Sequence, residues 1–315
     1  MKIFSVAETI SETFPTPILT MGNFDGVHFG HQQIFRLVKE QAQQVGGTSI
    51  VLTYDPHPQK ILFPDRAFYL INRMEEKIDI IRNIEIDVLI CLAFTREFAA
   101  KDPRDFVKDF LVNTLYVREI YVGYNSRFGR HQHGTPESLS QWGEEFGFRV
   151  TIVPPISRNG VLVSSTKIRQ LLSQGFVEEA AQLLNRSYAL DGTVISGTQR
   201  GSTLLGYPTA NLDIQQELIP KKGVYLGQVV WQETLFPAVI NIGTNPTFHQ
   251  KNLTVEVHIL DFHKNLYGEQ IKVVFLKRLR NEIPFSHHQE LAKQIEQDIQ
   301  AAKAYFRDPD SSCST

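Results

Sequence analysis

The stretch Gly22-Asn23-Phe24-Asp25-Gly26-Val27-His28-Phe29-Gly30-His31 decides how the first half of this chain is read. It joins an apolar strand, Ile18-Leu19-Thr20-Met21, to a segment over 32–45 whose pattern predicts a helix. The glycines let the backbone close around an anion at the helix N-terminus, where free N–H groups and the helix dipole favour negative charge. His28 and His31 are three residues apart and fall on one side of the turn. There their imidazoles can donate hydrogen bonds to a phosphate whose charge grows in a transition state. The run reads as a nucleotide-phosphate site; a motif this short also fits a plain glycine-rich turn with surface histidines.

Working outward, strand-like and helix-like segments alternate: strand 49–54, helix 75–83, strand 88–93, helix 104–111, strand 119–122 and strand 149–153. Such alternation predicts a parallel, doubly wound sheet. Polar turns follow three of the strands: the 22–31 run, Asp55-Pro56-His57-Pro58, and Gly123-Tyr124-Asn125-Ser126-Arg127-Phe128-Gly129. Ligands in open α/β sheets bind beyond the carboxyl ends of strands, so these turns meet in one crevice if the sheet order allows it. Further on, Ser164-Ser165-Thr166 predicts a helix cap, with Lys167 and Arg169 in or near the first turn. Cations oppose the dipole there, which suits a bound phosphate. An ordinary Ser/Thr cap is the alternative.

After a helix over 176–184 the pattern changes to short strands, 192–195, 223–230, 238–242, 254–260 and 271–275, which predict a small antiparallel barrel. A closing helix over 287–306 carries Leu291, Ile295, Ile299, Ala302 and Phe306 on one stripe, expected to dock on that barrel. In this half the densest chemistry is Gly206-Tyr207-Pro208-Thr209-Ala210-Asn211, preceded by Gly197-Thr198-Gln199-Arg200-Gly201. Thr209 and Asn211 lie two apart, so an extended backbone points both to one face, where neutral oxygens can hold magnesium while ATP phosphates supply the charge. A polar hairpin with proline is the alternative. Within Thr254-Val255-Glu256-Val257-His258-Ile259-Leu260, alternation puts Glu256 on the same face as Thr254 and His258. A carboxylate there can accept a proton from a substrate hydroxyl; a solvent-facing strand glutamate is the alternative.

Composition sets limits. Among 315 residues, 32 Lys and Arg balance 34 Asp and Glu, a formal charge of −2, which argues against a dedicated nucleic-acid surface. The most apolar segment, 88–94, is far shorter than the roughly 20 residues a membrane span needs. Cys91 and Cys313 form neither a disulfide framework nor a thiolate cluster, so a cytoplasmic setting is expected, with Cys91 filling core. Oligomeric state is left open.

Over nearly its whole length the chain resembles the bacterial bifunctional riboflavin kinase/FAD synthetases. In the first half the resemblance rests on the 22–31 turn, Tyr54-Asp55-Pro56-His57-Pro58, Glu76-Lys77, Gly123 with Asn125 and Phe128-Gly129, and Ser164-Ser165-Thr166-Lys167-Ile168-Arg169. In the second it rests on 206–211, Gly223-Val224-Tyr225, Asn241-Ile242-Gly243-Thr244-Asn245-Pro246-Thr247-Phe248, Glu256, and Asp261 with Leu266-Tyr267-Gly268. It implies a Rossmann-like FMN adenylyltransferase domain over 1–184, a β-barrel riboflavin kinase domain over 185–308 and a tail over 309–315. Riboflavin, FMN and ATP are the implied substrates, with Mg2+ accompanying ATP.

The roles it implies are these. Glu256 is the kinase base; Thr209 and Asn211 bind magnesium and nucleotide, with Gly201, Gly206 and Pro208 in the phosphate loop. His28 and His31 stabilise phosphate charge in adenylyl transfer, with Gly22, Phe24, Asp25, Gly26, Asn125, Ser165, Thr166 and Arg169 also at the ATP site. Asp55, His57, Phe63 and Phe128 form the flavin site. Two departures stand out: Gly201-Ser202-Thr203-Leu204-Leu205 is one residue longer than the usual loop and lacks its basic residue, and Ser126 replaces a frequent aromatic. Two other readings remain: a nucleotidylyltransferase acting on a different phosphorylated acceptor, and a flavin or nucleotide sensor without turnover.

Overall fold

The protein is described by a computed structural model covering residues 1–5, 10, 12–196, 208–244, 253–285 and 287–307. It divides into two compact units, Met1–Ser165 and Thr166–Thr315.

The first unit is built on β1 (Lys2–Ser5), β2 (Pro17–Met21), β3 (Thr48–Asp55), β4 (Val88–Ala93), β5 (Glu119–Gly123) and β6 (Arg149–Val153). They form one parallel sheet in the order β1-β4-β3-β2-β5-β6. Both faces are buried, so every residue of β2 and all but the last of β3 lie inside, without the alternation of a half-exposed strand. On one face Leu19, Leu52 and Ile90 pack with Phe106, Leu111 and Leu139. On the other, Val51 and Leu89 pack with Phe35 and Ile81, and Ile18 packs with Ile34 and Val38. The helices of this unit are α1 (Phe29–Gln44), α2 (Pro58–Leu62), α3 (Met74–Asn83), α4 (Arg96–Ala99), α5 (Pro103–Phe106) and α6 (Pro136–Phe146), of which α1, α3, α5 and α6 supply Ile34, Phe35, Val38, Ile81, Phe106 and Leu139. The strand order reverses at β2, since β3 lies on one side and β5 on the other. The turns after β3, β2 and β5 therefore stand side by side at the switch point, as the crevice reading requires.

Several local expectations differ from the structure. The helix expected over 32–45 begins three residues earlier, at Phe29, because His28 caps it with its own side chain. The expected 104–111 helix is α5 followed by a π-helical stretch, Val107–Val112. Its wider turn lets Asn113 N donate to Lys108 O at 3.0 Å while Val107 and Leu111 both remain in the core. A two-stranded hairpin, β7 (Ser157–Arg158) with β8 (Val161–Leu162), precedes α7 (Ser165–Gln174).

In the second unit α7 leads to α8 (Val177–Leu184) and then to β9 (Tyr188–Ile195), β10 (Ala210–Ile214), β11 (Gly223–Trp231), β12 (Thr234–Thr244), β13 (Leu253–Ile259) and β14 (Gln270–Arg280). These six strands close into an antiparallel barrel, β10-β13-β12-β11-β14-β9. The inside is filled by Tyr225 against Phe275, ring centroids 5.3 Å apart. The closing helix α9 (His288–Arg307) lays Ile295, Ile299, Ala302 and Phe306 on Val224, Leu226 and Val239 of the barrel wall, the docking its stripe predicts. Arg280 fastens it further by a two-pronged ion pair with Asp298, at 3.0 and 2.7 Å.

Candidate active sites

The turn after β2 is built from left-handed backbone: Phe24, Gly26 and Val27 have φ of +46°, +81° and +37°. Non-glycine residues rarely adopt such values, and they persist where surroundings over-determine them. Here the surroundings are explicit. Phe24 packs edge-on against Phe35 and His31, at 4.7 and 5.1 Å. Gly26 N donates to Asn72 Oδ1 at 2.6 Å, and the Asp25 carboxylate accepts from Ile71 N at 3.1 Å. Ser165 Oγ donates to the Asp25 carbonyl at 2.8 Å. Asp25, named from sequence as an ATP ligand, thus turns its carboxylate beneath the turn and ties it to the 71–72 segment.

His28 is the N-cap of α1, and its Nδ1 accepts from His31 N at 3.3 Å. An accepting nitrogen carries no hydrogen, so the cap places the ring proton at Nε2. The His28 and His31 rings stack 3.5 Å apart, 18° from parallel. His31 Nδ1 is buried and has no hydrogen-bond partner among the described residues. Burial first, then His28 and Lys77, hold the His31 pKa well below that of a free imidazole, so it is neutral at pH 7. No acidic residue lies in the first turn of α1, so no first-turn carboxylate neutralises the positive end of its dipole. Such an arrangement suits an anion.

Gly30 matters at close range: a Cβ there would lie 3.3 Å from two atoms of the His28 ring. Gly30→Ala is expected to displace that ring by a few tenths of an ångström and to lower whatever turnover the pair supports by roughly threefold to tenfold, measurable by steady-state kinetics.

The other residues named from sequence in the first half of the chain are placed as follows. Gly22 closes against Phe24, whose ring lies 3.0 Å from where a Cβ would stand. Asn125 is exposed in the turn after β5, and Asp55 is exposed at the end of β3. His57 is buried, caps α2 by accepting from Gln59 N at 3.1 Å, and stacks on Phe68 at 4.6 Å. Phe63 is 47% exposed at the end of α2. Phe128 lines a cleft with Tyr54, Phe98, Lys101, Phe106 and Gly129. Thr166 and Arg169 lie on α7, in the second unit.

A second constellation forms on the barrel. Asn211 of β10 stands directly across from Glu256 of β13, which stands directly across from Asn241 of β12. Residues paired in this way share one face of the sheet, so the carboxylate lies between two amides. Val255 and Val257 on either side of Glu256 are buried in the barrel. Burial first, then the charge of Glu282, raise the Glu256 pKa. Glu282 reaches this face over Gly243, where an added Cβ would lie 2.4 Å from its Oε1. His258 Nδ1 donates to the Pro208 carbonyl at 2.8 Å, since that oxygen can only accept, and so fastens the backbone beside the exposed Thr209. Gly201 and Gly206 lie outside the described residues.

Both halves of the chain match known families. Residues 11–167 match the FAD synthetase family and residues 184–306 match the riboflavin kinase family. Bifunctional riboflavin kinase/FMN adenylyltransferases are similar along nearly the whole chain: that of Escherichia coli K12 is 36% identical, covering 92% of both chains. The chain belongs to this bifunctional family. The enzyme of Listeria monocytogenes is 35% identical over 92% of both chains, and that of Buchnera aphidicola from Acyrthosiphon pisum 33% identical over 97% of this chain and 98% of its own. A crystal structure described as a macrolide-efflux protein from Streptococcus pneumoniae has TM-score 0.87 and 30% identity, covering 96% of this chain and 99% of its own. Among the described residues of the present chain no helix is long and apolar enough to cross a membrane.

As a member of this family the chain carries an FAD synthetase domain followed by a riboflavin kinase domain. Sequence reasoning gave no role to Asn241, His258 or Lys77. Strand alternation from Glu256 reaches His258, but the partner strand that brings Asn241 opposite the carboxylate is known only from the register.

Proposed function

We propose that the chain makes FAD from riboflavin in two steps, one in each domain, with the kinase in 185–308 and the adenylyltransferase in 1–184. In the first step the ribityl hydroxyl oxygen attacks the γ-phosphorus of ATP, its proton passes to Glu256, and ADP leaves with the electrons of the broken bond. Asn211 and Asn241 stand across from that residue on the two neighbouring strands. In the second step an FMN phosphate oxygen, already ionised at neutral pH, attacks the α-phosphorus of a second ATP and pyrophosphate leaves. No strong base is required there. The work is positioning and charge stabilisation, assigned to His28, His31 and the open N-terminus of α1. Phosphate contacts from Asn125, Ser165, Thr166 and Arg169, and flavin contacts from Asp55, His57, Phe63 and Phe128, belong to the same reading.

The oxygens of Thr209 and Asn211 suit a hard cation such as Mg2+. Those oxygens are neutral, so a metal they held would draw charge from the ATP phosphates. When bound, it would neutralise phosphate charge during transfer. A cytoplasmic enzyme fits the free, half-buried Cys91.

The observation that carries the reading is the stacked His28–His31 pair with its unpartnered nitrogen, in a chain that also holds Glu256 between two amides. The test is incubation with riboflavin, ATP and Mg2+, followed by separation of the flavins with fluorescence detection. FMN followed by FAD is expected, and neither after removal of divalent cations with EDTA. Absence of both flavins in the presence of Mg2+ would instead favour the sensor.

The kinase carries a pH signature. Glu256 must be ionised to act, and its pKa is raised, so FMN formation falls as pH drops through that raised value. Glu282→Gln removes one of the two causes of the rise. The acid limb of kcat/KM for riboflavin is therefore expected to move to lower pH; an unmoved or opposite shift would contradict the assignment of Glu256.

A further inference from the structure

Lys77, one turn into α3, is only 5% exposed. Lysine is almost never buried to this degree unless its ammonium is paired. Its Nζ donates to the Asn23 carbonyl at 2.8 Å and to Thr53 Oγ1 at 3.4 Å, and that hydroxyl donates to the same carbonyl at 3.3 Å. Asn23 sits between Gly22 and the left-handed Phe24, so the amine grips the turn next to a residue of left-handed backbone.

The groups facing the amine come from every element around it. Asp25 belongs to the turn, Asp55 to the end of β3 and Cys91 to β4. Burial pulls the Lys77 pKa down, while these three groups pull it up. From α1, His31 feels its charge. A cation without a functional task is poorly suited to this place, because a neutral donor would hold Asn23 without the desolvation a buried ammonium entails. An anion arriving at the N-terminus of α1 changes that balance, since it faces a fixed charge already placed beneath it.

We propose that Lys77 is a positioning residue for adenylyl transfer: by holding the Asn23 carbonyl and a positive charge beneath the turn, it shapes the turn for the ATP polyphosphate. The inference rests on the reading that the first domain adenylylates FMN. If the unchanged chain makes no FAD from FMN and ATP, that reading has failed; if it does, the variants below decide on Lys77.

The test uses the full chain with Lys77→Met, which removes donor and charge, and Lys77→Gln, which removes the charge but keeps a donor for Asn23. FAD formation from supplied FMN, FMN formation from riboflavin, and the His31 titration followed by NMR of histidine-labelled protein are measured in each. Both variants are expected to lose roughly tenfold or more in kcat/KM for ATP in FAD formation, with FMN formation unchanged. The His31 pKa is expected to rise in both, because one of the charges that depress it is gone. Lys77→Gln with FAD formation and His31 titration like the unchanged chain would overturn the proposal. Equal loss of both activities in both variants would overturn it as well, assigning Lys77 to the stability of the chain alone.

Discussion

His31→Ala is expected to lower FAD formation from supplied FMN and ATP by about 10²–10³ in kcat, the scale on which removing one preorganised donor from a developing oxyanion acts. FMN formation from riboflavin is expected to be unchanged, which also reports that the chain remains folded. His31 is a cleaner probe than His28. The His28 side chain caps α1, so its removal adds a cap loss of about 1 kcal/mol to any catalytic effect. His31 makes its cap contact through the backbone N–H, which alanine retains. Its ring packs against His28 and Phe24, and its buried Nδ1 has no partner among the described residues, an arrangement that costs stability and that a ligand acceptor or donor would relieve. Steady-state kinetics for each half reaction, run on the same preparation, check this. Full FAD formation by His31→Ala would place the adenylyl chemistry elsewhere.

The converse result is expected of Glu256→Gln. FMN formation should fall by about 10²–10⁴, the usual range for loss of a general base, while FAD formation from supplied FMN continues. Glutamine keeps the volume of the side chain that stands across from Asn211 and Asn241, so barrel packing is retained and the proton acceptor is lost. The riboflavin KM should change little, because the role assigned to the carboxylate is in the transition state. A variant that keeps its kcat but loses affinity would make Glu256 a binding residue. That outcome would move the search for the base toward Glu282, which shares its face of the barrel.

Much of this was legible in the chain itself, and the reasons are physical. Strand and helix periods of the first half differ enough to separate, and the glycine pattern of 22–31 marks a turn closing on a helix end. Glu256 could be placed on a face because side chains alternate along a strand. What lay beyond reach was long-range. Sheet order decides whether three polar turns meet, and nothing local fixes it. The helix start at Phe29 was hidden because histidine is not among the usual capping residues. The π-helical stretch 107–112 obeys a period that no common template tests, and its residues look like an ordinary amphipathic turn. Asn241 gained a role only when register placed it across from Glu256. Lys77 stood in the quoted Glu76-Lys77 pair, yet a lysine on an amphipathic helix is expected to face water, and only the packed turn above it shows why this one does not. The glycine-rich loop around Gly201 and Gly206 lies outside the described residues, so its part in holding ATP stays with the proposal.

The most direct test of two separate sites working in series mixes the two crippled chains. His31→Ala alone is expected to stop at FMN when given riboflavin, ATP and Mg2+, and Glu256→Gln alone to leave riboflavin unconverted. Combined in one tube, they are expected to produce FAD, with FMN appearing first, because one chain supplies the kinase and the other the adenylyltransferase. A mixture of folded variants that yields no FAD, although the unchanged chain does, would contradict the account.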